Sequence, residues 1–206
     1  MSRLFTYVIT DDYGFAPNPF YGVLTLNTCK PMIRQQAEVG DWIAATTSAD
    51  SPAGRGLLVY AARVTEKMTM ADYDRWTRAE LPEKIPDHRS LDYRRKAGDS
   101  IYDFTGASPK RKRGAWHTPQ DMARDLSGRY TLLCREFVYF GGDPMAVPEH
   151  LSPVVHSGRG HKSTANDPYV EAFATWIGAF ESGRLYDQPM EVPGRSPLLT
   201  IERRPR

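Results

Sequence analysis

Residues 57–68 read LLVYAARVTEKM. Leucine, valine, tyrosine and alanine fill its first half, and the turn Gly54-Arg55-Gly56 stands just before it. No other stretch has so strong a strand composition. Upstream, Gly40-Asp41 makes a turn, and WIAATT at 42–47 reads as a buried strand. Residues 40–66 therefore predict a hairpin with a Ser/Pro/Gly-rich connection. Further strands are predicted at 4–10 (LFTYVIT), 21–26 (YGVLTL) and 129–142 (RYTLLCREFVYFGG), the last ended by Gly141-Gly142. The tail SPLLTIERRPR (196–206) reads as a further edge strand.

Helix signals are short and local. Pro31 suits the first turn of PMIRQQA, where its missing N–H is no loss. Thr69, with Asp72 three residues on, predicts a capped helix through MADYDRW. Thr118 as cap, Pro119 next, Asp121 at the third position and Gly128 past the end frame another. Asn166 or Asp167 caps a last helix from Pro168. Its residues Tyr169, Val170, Phe173, Trp176, Ile177 and Phe180 make one wide apolar face. Strands outnumber helices, so the expected class is α+β. The sheet is expected to be mostly antiparallel and curved, or a small barrel, with short flanking helices and a C-terminal helix. One domain is expected over 1–206, carrying an irregular basic insertion at 78–115.

A chain of 206 residues can bury a substantial core. No run approaches about 18 apolar residues, so no membrane partner is expected. The start lacks the features of a signal peptide, and two cysteines are too few for a disulfide scaffold, which together predict a cytoplasmic protein with reduced thiols. Residues 93–113 carry seven basic and two acidic side chains, a charge of +5 in a chain of net +2. The remainder is thus mildly acidic, and Arg94, Arg95, Lys96, Lys110, Arg111, Lys112 and Arg113 are candidates for contacting a nucleic-acid backbone. Tyr93, Tyr102, Phe104 and Trp116 interleave with or flank these charges.

Four further features carry candidate chemistry. In TLNTCKP (25–31), Cys29 and Lys30 precede a helix start, where an anion is favoured. In APNPFYG (16–22), Asn18 can pair with an amide-like edge, and Phe20 and Tyr21 offer faces for stacking. In VVHSGRGHKSTAND (154–167), glycines with Arg159 and Lys162 resemble an anion-cradling loop, although the spacing is not that of a P-loop. His156 and His161 there make a poor metal pair without acidic partners, so no metal is assigned. Finally, Cys29 as nucleophile needs a base, for which His161 or His117 is available, with Asp167 assisting. The residues leave the cofactor unassigned.

Several of these blocks occur together in a known family. GFAPNPFYGVLTLNTCKPMIRQQAEVGDWI, LVYAARVTEKMT, REFVYFGGD followed by VPEHL, and GRGHKSTANDPYVEAF resemble the nucleotide-modification-associated proteins of the second type. The resemblance implies a phage or bacterial setting linked to DNA base modification. A more distant likeness is to PUA-like, particularly EVE-type, domains, with Gly40-Asp41-Trp42 and LLVYAARVTE in the matching places. It implies a curved barrel that reads modified bases in a pocket uniting Asn18, Phe20, Thr25, Asn27, Cys29 and Trp42. In that reading Lys30, Arg159 and Lys162 take phosphate. Expected partners are nucleic acid (DNA before RNA) or a nucleotide, and other base-modification proteins. Three functions stay open: a reader of a modified base or nucleotide, an enzyme using Cys29 and His161, or a non-catalytic subunit of a modification complex.

Overall fold

The computed structural model describes residues 2–192, so the edge strand expected at 196–206 lies outside the described residues. In chain order the strands are β1 (Leu4–Ile9), β2 (Leu24–Leu26), β3 (Trp42–Thr47), β4 (Leu58–Arg63), β5 (Glu66–Thr69), β6 (Tyr102–Asp103), β7 (Lys110–Arg111), β8 (Tyr130–Cys134), β9 (Glu136–Tyr139) and β10 (Arg184–Leu185). The helices are α1 (Pro31–Gln36), α2 (Met70–Ala79), α3 (Tyr93–Lys96), α4 (Met122–Ser127) and α5 (Val170–Ile177). Residue contacts divide the chain into two compact units. The first holds the segment up to Asp12, then Ala37–Thr65, then the chain from Cys134 onward. The second holds Tyr13–Gln36 and Glu66–Leu133.

The first unit is a five-stranded sheet in the order β1-β3-β4-β9-β10. Its two inner joins are antiparallel, while β1 runs parallel to β3 and β10 parallel to β9. Register decides the packing. Ala44 lies opposite Ala61, and Ala61 opposite Val138, so one face presents a shallow, small-residue row. Phe173, Val170 and Ile177 of α5 bury their side chains against that face, joined by Leu4 and Leu58. Alternation sends the neighbouring row to the opposite side. There Tyr7, Ala45, Tyr60 and Tyr139 lie side by side, and the Tyr7 and Tyr60 hydroxyls meet at 3.0 Å. Among the described residues the outer strands β1 and β10 do not pair with each other, so the α+β class is realised as open sheets and the barrel alternative is not.

The second unit combines a three-stranded sheet, β2-β8-β5, with the β6–β7 ribbon and helices α1 to α4. Part of the expected insertion, 78–115, packs into it. Lys84, Asp99, Ser100, Ile101 and Tyr102 are all buried, so this segment supplies core rather than only loop.

Both of the longest predicted strands are broken. The run at 57–68 divides between β4 and β5, and that at 129–142 divides between β8 and β9. β4 pairs with β9 in the first unit, and β5 with β8 in the second. Where the ladder lapses, the Arg135 amide donates to the Thr65 hydroxyl at 3.2 Å. A strand composition persists through the break, which is why periodicity alone reads each pair as one element. The last helix also starts later than its sequence suggests. Residues 164–169 form a 3₁₀ turn, and Asn166 is not a cap. Its buried amide donates to the Leu4 carbonyl at 2.9 Å and the Thr6 hydroxyl at 3.0 Å.

Because Phe173 fills the small-residue face, Phe173→Ala is expected to cost about 3–5 kcal/mol, read as a lower midpoint in urea unfolding.

Candidate functional site

The chain leaves β2 through Asn27-Thr28-Cys29-Lys30 and enters α1. Cys29 and Lys30 both adopt left-handed backbone, with φ of 55° and 37°. Side chains with a Cβ resist this conformation, so surrounding contacts must impose it. The imposing group is Arg34, one turn along α1 and fully buried. Its Nε donates to the Cys29 carbonyl at 2.8 Å. Its Nη1 donates to the Tyr130 carbonyl at 2.7 Å and its Nη2 to the Asp125 carbonyl at 2.5 Å. Burial pulls the guanidinium down to about 10, which leaves it charged at neutral pH. Gly128 makes room for it: any Cβ there would run into the Arg34 guanidinium.

The expected cap at Thr118-Pro119-Gln120-Asp121 is present as a capping box, and it launches α4. α4 carries Asp125 into the interior, wholly inaccessible. Asp125 Oδ1 accepts the Cys29 amide at 3.1 Å. Asp125 Oδ2 lies 2.5 Å from His117 Nδ1 and accepts the Tyr102 hydroxyl at 2.8 Å. On the other side of the imidazole, Nε2 lies 3.5 Å from Cys29 Sγ. The Phe15 ring meets the imidazole edge-on, with centroids 4.9 Å apart. Thiol, imidazole and carboxylate thus stand in line, with the imidazole side chain only 15% exposed. Burial on its own would lower the His117 pKa, but the bonds to Asp125 and Cys29 outweigh it and raise the value to about 9. Burial and the bond to Asp125 likewise push the Tyr102 hydroxyl up, so it stays a donor.

Cys29, His117 and Asp125 also offer metal-ligand atoms within 4.8 Å of one another. Both Asp125 oxygens are already committed, however, to the Cys29 amide and to His117 with Tyr102. The donor set fits a nucleophile, a base and an orienting acid better than a metal cage. Of the two histidines open to Cys29 in the sequence, the partner is His117. His161 and Asp167 belong to the first unit, where His161 packs beside Phe5 with centroids 5.7 Å apart and Asp167 is exposed. Asp125, Tyr102, Phe15 and Arg34 escaped sequence reasoning. Only the position of Asp125 on the capped helix just after His117 hinted at its role.

The expected base-reading residues are placed differently. Asn18, Thr25 and Asn27 are buried and bound to one another's neighbours. Asn18 donates to the Ala97 carbonyl, Thr25 to Asp99 Oδ2 and Asn27 to the Asp99 carbonyl. Lys84 Nζ closes the group by donating to Asn18 Oδ1 at 2.6 Å and the Val23 carbonyl at 2.7 Å. Edge reading needs polar atoms a ligand can reach, and here they serve the core. Phe20 is buried as well, while Tyr21 is half-buried beneath the Arg94 guanidinium. Trp42 belongs to the first unit, against Phe173.

The expected phosphate ligands are divided. Lys30 is half-buried in the second unit, and burial lowers its pKa. Arg159 is exposed in the first unit, and the Lys162 ammonium there donates to the Pro153 carbonyl. Among the basic residues, Lys112 is committed to the buried Asp74 at 2.6 Å rather than to any backbone phosphate. Arg94 pairs with Asp92 at 2.8 Å, Arg111 donates to the Ala115 carbonyl at 3.4 Å, and Arg95 and Lys96 are half-buried. Lys110 and Arg113 are exposed.

Residues 1–195 match the family described as nucleotide modification associated domain 2, and the chain belongs to it. That membership supports a role in nucleotide or base modification. No curated protein and no solved structure matches the chain. No helix among the described residues is long and apolar enough to cross a membrane.

Arg34→Lys cannot satisfy three divergent carbonyls, and its expected cost is about 3 kcal/mol. Gly128→Ala, which displaces the same guanidinium, should destabilise in the same direction; urea unfolding checks both. A second expectation concerns pH. The folded pKa of His117, about 9, lies above its ordinary 6.5, so the stability contributed by its charged form is complete below about 6.5 and fades as pH rises through 9. Unfolding of wild type against His117→Gln should show the difference shrinking across that window.

Proposed function

We propose that the protein is an enzyme acting on a nucleotide or nucleic-acid base by thiol catalysis. Cys29 is the nucleophile, His117 the acid–base, and Asp125 the group that orients the imidazole. The observation that carries this reading is the 3.5 Å approach of Sγ to Nε2, backed by the 2.5 Å contact of Nδ1 with Asp125. Family membership supports a nucleotide or base as the substrate class. In the first step the thiol proton resides on Nε2, the sulfur bonds to an electrophilic carbon of the substrate, and the leaving group departs with that proton. In the second, His117 takes a proton from the incoming acceptor, which forms its bond to the same carbon as the carbon–sulfur bond breaks. The reading as a base-binding module without turnover has less support, because Asn18, Thr25 and Asn27 are buried and bonded within the core.

The test is the rate of Cys29 alkylation by iodoacetamide at neutral pH, followed by peptide mass. Cys134 is fully buried and serves as the internal control. Wild type should be alkylated at Cys29 at least about tenfold faster than His117→Gln or Asp125→Asn. Equal rates in all three would remove the basis of the proposal.

A further inference from the structure

A cluster of exposed rings lies beside the triad within the second unit. Tyr13 and Trp116 are the two large aromatic side chains most open to solvent among the described residues, 36% and 39% exposed. They lie against each other, with centroids 5.1 Å apart and planes tilted by 32°. Tyr93 meets Trp116 edge-on at 6.3 Å. Two hydrogen bonds fix the arrangement. The indole Nε1 donates to the Lys96 carbonyl at 2.8 Å, and the Tyr93 hydroxyl donates to the Tyr13 carbonyl at 2.8 Å. Contiguous exposed rings mark interaction surfaces, and these are held in place by hydrogen bonds while still partly exposed.

Their chain positions tie them to the chemistry. Trp116 directly precedes His117, and Tyr13 is two residues from Phe15, whose ring packs on that imidazole. Their other neighbour is α3, with Arg94, Arg95 and Lys96 in succession. Arg94 is paired with Asp92, yet Arg95 and Lys96 still leave this edge positive. A protein partner's apolar surface would call for a broad aliphatic surround, and near Tyr93 in the chain the exposed aliphatic side chain is Leu91, whereas the successive cations of α3 match a polyanion with flat bases.

We propose that Tyr13, Trp116 and Tyr93 form a stacking platform for single-stranded nucleic acid, whose phosphates follow Arg95 and Lys96 and whose target base is delivered to Cys29. The substrate is then a base within a strand rather than a free nucleotide. A closed duplex offers no base face to the rings, so the base must be unpaired or extruded. This inference rests on the thiol-enzyme reading for its chemistry, while its binding surface is separate from the triad.

The test is fluorescence anisotropy with a fluorescein-labelled oligothymidylate of about 12 nucleotides, on the full-length chain. The oligouridylate counterpart, a duplex of equal length and free thymidine monophosphate as competitor complete the set. The strand should bind with an affinity that falls as salt rises. Trp116→Ala should weaken it by about 5- to 150-fold, the range for one stacked base, and Tyr13→Ala in the same direction. Tyr13→Ala keeps the carbonyl that Tyr93 uses, so its fold is expected to survive if Trp116→Ala disturbs α3. A preference for DNA or RNA identifies the strand, and either supports the platform. Wild-type affinity in both variants, a duplex bound more tightly than the strand, competition by the free nucleotide at equal concentration, or no strand binding would each overturn it. The alkylation comparison of wild type with His117→Gln needs no nucleic acid, so failure here and failure of the thiol reading remain distinguishable.

Discussion

The buried guanidinium of Arg34 sets the conditions for everything around the site. A charge withdrawn from water must have its donors satisfied, and three of the bonds of this one go to the carbonyls of Cys29, Asp125 and Tyr130. Those carbonyls come from three parts of the second unit: the loop before α1, helix α4 and strand β8. One planar fork thereby fixes the position of the Cys29 backbone relative to helix α4. The left-handed turn at Cys29 and Lys30 and the glycine at 128 are the local accommodations that let the fork reach.

Asp125 then divides its two oxygens between the Cys29 backbone and the imidazole. Oδ1 holds the Cys29 amide, so the carboxylate positions the backbone that bears the thiol. Oδ2 holds His117 and Tyr102, so the same carboxylate orients the imidazole. With Nδ1 occupied, Nε2 is the nitrogen left to face sulfur. The raised pKa of His117 follows from this arrangement, since burial alone would have acted in the opposite direction.

A polar cluster elsewhere in the second unit has a different character. Asn18, Thr25, Asn27, Lys84, Asp99 and Tyr73 satisfy one another in the interior, and burial raises the Asp99 carboxyl. Residue types suited to reading a base edge are equally suited to closing a buried network. The difference lies in access, which composition does not encode.

Local signals were readable from the chain. The caps at Thr69 and Thr118, the Pro31 helix start, the strand compositions and the apolar face of the last helix depend on neighbours within a few residues, and the structure contains them. The family blocks were readable for the same reason, as contiguous stretches of sequence. What escaped was long-range. His117 is 88 residues from Cys29, Arg34 looks like an ordinary surface residue of a short helix, and 57–68 shows no mark where it passes from one sheet to another. The sequence by itself determined where most strand and helix segments fall, the caps at Thr69 and Thr118, and a cysteine beside a helix start. Tertiary structure alone decided which histidine faces that cysteine and which polar residues are core, because both depend on contacts between segments far apart in the chain.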